Sequence, residues 1–243
     1  MNYSPKVFAD DAHLEQGTTD MKIRAVAFDL DGLMFDTEAL FVRVATAMLA
    51  DRGKAFTPEI MAAMIGRQAA IAYPAMKAMA GLSETADELL AEARERFFAL
   101  MDSAVHPTPG LFALLEHLEH RGLPRAVCTS SRRAYAERLL ETHGFSAHFA
   151  FLLCAEDVTN SKPDPEIYLT AASRFGIAPA ELLVLEDSPA GLAAANAAGA
   201  FAVVVPHDHS PAGALQTADL IVPRLDDPAL LALVGQRADQ HSG

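Results

Sequence analysis

Basic residues are scarce: 19 Lys and Arg stand against 32 Asp and Glu, a formal net charge of −13 over 243 residues. Those present form no long run, so the chain lacks the electrostatic footprint of a nucleic-acid or anionic-membrane binder, and small solutes are the expected partners. Cysteine is scarcer still. Cys128 and Cys154 each lie in an apolar, strand-like run, which excludes a disulfide framework, suits reduced core residues and points to the cytoplasm. No segment approaches the ~18 apolar residues of a membrane span. The first 20 residues are polar and acidic, without the apolar stretch of a signal peptide, and read as a flexible N-terminal extension. Neither nucleic acid nor membrane is an expected partner, and the chain is expected to act as a monomer.

What is abundant is apolar: 51% of the residues are hydrophobic, enough for one large core or two small ones at roughly 100 to 200 residues per domain. Six short apolar runs recur, at 22–28, 124–128, 149–154, 182–185, 200–205 and 219–222. Their near-continuous hydrophobicity predicts strands covered on both faces. Helix-like segments at 110–121, 132–142, 164–175 and 189–198 separate the later ones. That alternation predicts an α/β fold with a doubly wound, Rossmann-like parallel sheet. The first connection differs, holding only helical stretches at 39–51, 58–65, 68–80 and 84–102. Such an insertion would hang over the C-terminal edge of the sheet, where open α/β folds bind ligands. The expected organisation is therefore a core of 21–37 and 106–243 and a helical cap of 38–105.

The stretch "AFDLDGLMFDTE" crowds Asp29, Asp31, Asp36 and Glu38 behind the first strand. Close carboxylates repel one another, so they call for a cation or a shared proton. A calcium loop would need glycine sixth and glutamate twelfth; here the fourth residue from Asp29 is Gly32 and the twelfth is Leu40. Turn propensity accounts for Asp31 and Gly32 alone. Three further signals fall at the ends of other elements: "VCTSS" with Thr129, Ser130 and Ser131, "NSKPDPEIY" with Lys162, and "LLVLEDSPAG" with Glu186 and Asp187. A parallel sheet brings such ends to one edge. Oxygen ligands of this kind suit Mg²⁺, and a lysine with hydroxyls beside it suits the oxygens of a phosphoryl group.

These four stretches, in this order, resemble the motifs of the haloacid dehalogenase superfamily, in the branch with a small helical cap that includes β-phosphoglucomutase and many small-molecule phosphatases. The resemblance spans residues 22 to about 222. It implies Asp29 as the nucleophile, Asp31 as the general acid and base, and Thr129 and Lys162 as holders of the phosphoryl group. It also implies Mg²⁺ held by Asp29, Glu186, Asp187 and the backbone carbonyl of Asp31. Because Asp31 is present, the dehalogenases and phosphonate-cleaving relatives fit poorly. A phosphatase of a small phosphorylated substrate is favoured over a phosphomutase, and a non-catalytic module on an inactivated core is a further alternative. For the mutase, Thr37, Ser131 and Arg132 resemble positions that hold a distal phosphate. Against it, Phe41 stands where the mutase has a histidine, and Ala69 where its cap has an arginine, although Arg67 could substitute. Gly32, Thr37, Glu38, Arg67, Ser130, Ser131 and Arg132 are thus the expected substrate-binding residues. His117, His120, His207 and His209 read as solvated or loop-surface residues, Asn160 as a local hydrogen-bonding residue, and Met48, Met61, Met64, Met76 and Met79 as cap core.

Overall fold

A computed structural model of the chain describes residues 22–64, 69–207, 210 and 213–235. The expected N-terminal extension, Arg67 and His209 lie outside these residues. Six parallel strands form one sheet in the order β3-β2-β1-β4-β5-β6: β1 Ala25–Phe28, β2 Arg125–Cys128, β3 Phe151–Leu153, β4 Leu182–Glu186, β5 Phe201–Val204 and β6 Leu220–Ile221. The expected doubly wound α/β sheet is present. β1 is central, pairing Phe28 with Val127 of β2 and with Leu185 of β4.

Alternate residues of a strand point to opposite faces, and the two faces carry separate cores. Val26, Phe28, Val127, Leu183 and Leu185 belong to one apolar cluster. Ala25, Ala27, Cys128, Val184, Ala202 and Val204 belong to the other. On the second face, helices α7 (Glu166–Phe175) and α8 (Pro189–Ala198) close over the sheet. Ala194 and Ala195 share this cluster with Ala25, Ala27 and Ala202, small residues that let helix and sheet approach closely. The first face is covered by α5 (Leu111–His120), α6 (Arg133–Thr142) and α9 (Pro228–Gly235). Helix α9, "PALLALVG", is apolar on every side and shows no helical periodicity, which hid it in the sequence. Both cysteines are free and buried, and burial pushes the Cys128 thiol up to about 12. No helix among the described residues is long and apolar enough to cross a membrane.

Between β1 and β2 the chain passes through α1 (Thr37–Ala50), α2 (Pro58–Met64), α3 (Ala69–Ala80) and α4 (Ala86–Ala104). Its entry and exit lie side by side: Asp36 N–H donates to the His106 carbonyl at 3.0 Å, and Thr108 N–H to that of Met34 at 2.9 Å. Inside the insertion, Arg52 reaches Glu84 and Glu92 at 2.6 Å each, and Arg96 pairs with Asp51 and Glu92. Met48, Met64 and Met76 are core residues, as expected. Met79, also expected in the core, is instead 49% exposed. His117, expected to be solvated, is half-buried, and its Nε2 finds no hydrogen-bond partner among the described residues. His120 is exposed, with Nδ1 2.9 Å from the Glu116 carbonyl.

Candidate active site

Three adjacent strands deliver the polar side chains. Asp29 follows β1, Thr129 follows β2, and Glu186 ends β4 with Asp187 next in line. The ladder holds their backbones: Asp29 N–H donates to the Leu185 carbonyl at 3.0 Å, and Thr129 N–H to that of Leu153 at 2.9 Å. Lys162 enters from the loop between β3 and α7. That loop is clamped by Glu166, whose carboxylate accepts from the backbone N–H groups of Thr159 and Asn160 at 2.8 Å each. Asn160 also donates its side-chain amide to Glu166 at 3.2 Å, the local role expected of it.

At the centre the Lys162 ammonium donates three hydrogen bonds: to Asp29 Oδ1 at 2.5 Å, to Glu186 Oε1 at 2.7 Å and to the Cys128 carbonyl at 2.9 Å. All its protons are used, and the nitrogen lies 5.0 Å from the Tyr168 ring centroid. The charges of Asp29 and Glu186 outweigh the desolvation of the ammonium and hold Lys162 well above its ordinary range. Glu186 is fully buried and satisfied on both oxygens. Oε1 accepts from Lys162 and from the Tyr168 hydroxyl at 2.5 Å, and Oε2 from the Asp187 N–H at 3.2 Å and the Ser188 hydroxyl at 3.1 Å.

Asp29, Glu186 and Asp187 place carboxylate oxygens within 4.8 Å of one another. Burial pushes the Asp29 carboxyl up to about 7, with Glu186 and Asp31 adding to it against the pull of Lys162. Burial and the nearby carboxylates of Asp29 and Glu186 also hold Asp187 well above the usual range. Three carboxylates against one ammonium leave an excess of buried negative charge, and hard oxygen donors so arranged fit a divalent cation such as Mg²⁺. With Glu186 already engaged by four donors, Asp29 and Asp187 offer the more available oxygens.

Asp31 is arranged differently. Its carboxylate is not part of the clustered group, and both of its oxygens accept from hydroxyls: Oδ2 from Ser131 at 2.6 Å and Oδ1 from Tyr135 at 2.6 Å. Burial and the charge of Asp31 raise the Tyr135 phenol well above its ordinary value, so it stays a donor. Thr129 Oγ accepts from the Ser131 N–H at 3.0 Å, which fixes the turn that carries both residues.

The remaining expected site residues scatter. Asp36 caps α1 by accepting from the Ala39 N–H at 3.2 Å, and so answers to the helix and not to the cluster. Thr37 is buried at the first position of α1, whereas Ser130 and Arg132 are exposed before α6. Glu38 faces His207 at 3.0 Å, and His207 also stands 3.5 Å from Asp187. His207 is therefore no loop-surface residue: it joins the rim of the acidic group. Glu38, His207 and Arg224 help line an adjoining cavity of about 470 Å³. Sequence reasoning also missed Tyr135, Tyr168 and Ser188. Tyr168 and Ser188 fall inside quoted motif stretches, but Tyr135 carries no local signal at all.

Gly32 has a positive φ of 81°, and a Cβ there would lie 2.0 Å from Asp187 Oδ2. Its lack of a side chain makes room for that carboxylate. Gly32→Ala combines backbone strain with a clash and should cost roughly 1–3 kcal/mol of stability. If the Asp29, Glu186 and Asp187 carboxylates hold Mg²⁺, the variant should also show a smaller rise in melting temperature on adding Mg²⁺ than the wild type. A thermal melt with and without Mg²⁺ checks this, and a wild-type response would contradict it.

The family model described as haloacid dehalogenase-like hydrolase matches residues 26–205. The chain is 34% identical over 210 residues to validoxylamine A 7'-phosphate phosphatase of Streptomyces hygroscopicus subsp. limoneus, covering 84% of this chain and 95% of that protein. It is 34% identical over 187 residues to hexitol phosphatase A of Escherichia coli (strain K12), covering 76% and 84%. Among solved structures, a HAD family hydrolase from Deinococcus radiodurans R1, with bound phosphate and sodium, superposes with a TM-score of 0.77 at 28% identity, covering 89% of this chain and 98% of that one.

Proposed function

Since the chain belongs to the haloacid dehalogenase-like hydrolases, in the branch with a small helical cap, we propose that it is a Mg²⁺-dependent phosphatase of small phosphate monoesters that works through an aspartyl phosphate on Asp29. The single observation that carries this reading is the division of labour among the acids. Asp29 belongs to the carboxylate cluster and pairs there with the Lys162 ammonium, while Asp31 is held apart by two hydroxyls. A nucleophile needs a neutralised, oriented carboxylate, whereas an acid and base needs one free to take and give a proton.

Asp29 attacks phosphorus, and the leaving alkoxide takes a proton from Asp31. The Thr129 hydroxyl donates to a phosphoryl oxygen, while the Lys162 ammonium, its three protons kept on Asp29, Glu186 and the Cys128 carbonyl, offsets by its charge the negative charge that gathers around Asp29. Asp31 then draws a proton from water, which attacks the aspartyl phosphate and frees Asp29 and inorganic phosphate. Asp29, Asp187, Glu186 and the Asp31 carbonyl would hold Mg²⁺, which when bound offsets negative charge on the phosphoryl oxygens and the carboxylates. Residues 38–105 form the cap over this edge, and Arg67, Thr37, Glu38, Ser130, Ser131 and Arg132 supply contacts to the rest of the substrate. The relative named as a hexitol phosphatase supports a polyhydroxylated leaving group.

A panel of polyol and sugar phosphates tests the reading. Phosphate release should require Mg²⁺ and stop with EDTA. Metal-independent release would contradict it, and conversion of a sugar 1-phosphate to its 6-phosphate without free phosphate would favour a mutase.

The carboxyl titrations give a separate prediction. Asp29 binds its proton more tightly in the folded protein, at about 7 against the ordinary 3.8. The folded state is thus favoured by this group at low pH, and that advantage is lost as pH rises through about 7. Asp187 acts with the same sign, and Lys162 titrates above its ordinary 10.5, outside this window. Metal-free protein should therefore lose melting temperature from about pH 5 to 8. Mg²⁺, which needs the deprotonated carboxylates, should restore more at pH 8 than at pH 5. Calorimetric melts across that range check both slopes, and a flat profile with no metal effect would contradict them.

A further inference from the structure

We infer that Tyr135 is a positioning residue that couples the setting of the Asp31 carboxylate to the position of helix α4 in the insertion. The inference rests on the reading of Asp31 as acid and base. Tyr135 belongs to α6 of the core, yet it works in two directions. Its hydroxyl donates to Asp31 Oδ1 at 2.6 Å, completing with Ser131 on Oδ2 a fork that fixes both oxygens. Rotation of the carboxyl group would break at least one of these bonds. Its ring, meanwhile, meets two aromatic residues of α4: Phe97 with centroids 6.0 Å apart at 58°, and Phe98 at 6.0 Å and 83°. The Phe98 contact is edge-to-face and the Phe97 contact tilted, and rings packed on two sides in this way follow their neighbours when they move.

A second link, three residues along α6, reinforces the first. Arg138 grips Asp102 of α4 through two hydrogen bonds, Nε to Oδ1 at 3.1 Å and Nη2 to Oδ2 at 2.8 Å, and its guanidinium lies 6.0 Å from the Phe98 ring centroid. Because the grip is bidentate, it sets orientation as well as distance. Helices α4 and α6 are thus registered at two points, and the point nearer the chemistry ends on Asp31. When α4 stands where it does here, Tyr135 is in place and Asp31 is aimed. A displaced α4 draws the ring away and releases one oxygen of the fork. Alignment of the proton-transferring group would in this way depend on the position of the insertion, without any residue of α4 touching the phosphoryl group.

Tyr135→Phe removes the hydroxyl and keeps the ring. It should lower kcat for an alkyl phosphate monoester by about 10-fold, the loss expected for one hydrogen bond to a charged group, with KM changed less than twofold. With p-nitrophenyl phosphate, whose leaving group needs no proton, rapid mixing should show a burst of nitrophenolate followed by slow turnover, because hydrolysis of the aspartyl phosphate still depends on Asp31. Phe98→Ala should lower kcat in the wild-type background and have little further effect in Tyr135→Phe, as two changes on one line of coupling do. Asp31→Asn, run in parallel, separates the two ideas. If Asp31→Asn is crippled while Tyr135→Phe keeps wild-type kcat without a burst, or the Phe98 and Tyr135 losses simply multiply, the coupling is wrong and the role of Asp31 stands. If Asp31→Asn turns over normally, the reading of Asp31 fails and the inference falls with it.

Discussion

Asp29→Asn should lower kcat for any phosphate monoester by on the order of 10⁴-fold or more, the scale seen when a covalent nucleophile is removed. The amide keeps the shape of the carboxylate but is a far poorer nucleophile, and it cannot form the mixed anhydride with phosphate. Folding should survive, since Lys162 retains Glu186 and the Cys128 carbonyl as partners and the substitution removes a charge whose burial is unfavourable. The melting temperature of metal-free protein should therefore be unchanged or higher. Substantial Mg²⁺-dependent phosphate release by a folded Asp29→Asn variant would remove Asp29 from the nucleophilic role, whatever the other residues do.

Lys162→Met should have the largest effect on stability. Glu186 is fully buried, and Lys162 is the cation within 4.0 Å of it among the described residues. Taking away one member of a buried ion pair leaves the other charge uncompensated, which costs about 3–5 kcal/mol. Tyr168, Ser188 and the Asp187 N–H still donate to Glu186, so the loss should fall toward the lower end of that range. Phosphate affinity should fall as well, because carboxylates then face the incoming anion without the ammonium. Lys162→Arg should rescue little: three acceptors converge on one tetrahedral nitrogen, a geometry the planar guanidinium does not reproduce. Urea unfolding measures the first effect. A Lys162→Met protein within about 1 kcal/mol of wild type would show that the pair contributes little, as exposed pairs do.

The fold was legible because its signals are local. Each strand is a short apolar run between turn residues, and the helices between them repeat at the helical period. The strand ends carry short polar motifs whose spacing survives any change elsewhere, and Asp29, Asp31, Thr129, Lys162, Glu186 and Asp187 were all visible in this way. Boundaries were less so. The helix read from 39 begins at Thr37, because Asp36 turns out to be a cap. What stayed hidden depends on three-dimensional approach. Tyr135 reaches Asp31 across 104 positions of sequence, and His207 reaches Glu38 from a loop whose composition suggests only solvent. The role of Gly32 was likewise out of reach, since nothing in "DLDGLMFD" says that Asp187 will lie 2.0 Å from where a Cβ would be.

The central claim is that the phosphoryl group passes through Asp29, and one measurement addresses it directly. Asp31→Asn protein, mixed with excess p-nitrophenyl phosphate and Mg²⁺, should undergo the first transfer, which needs no proton for this leaving group, and then stall for want of a base. Acid quenching and peptide mass spectrometry should find one phosphoryl group, on the peptide containing Asp29, in an amount matching the nitrophenolate released in the burst. Nitrophenolate and free phosphate appearing together from the first turnover, with no phosphorylated peptide or with the label on another residue, would contradict the account.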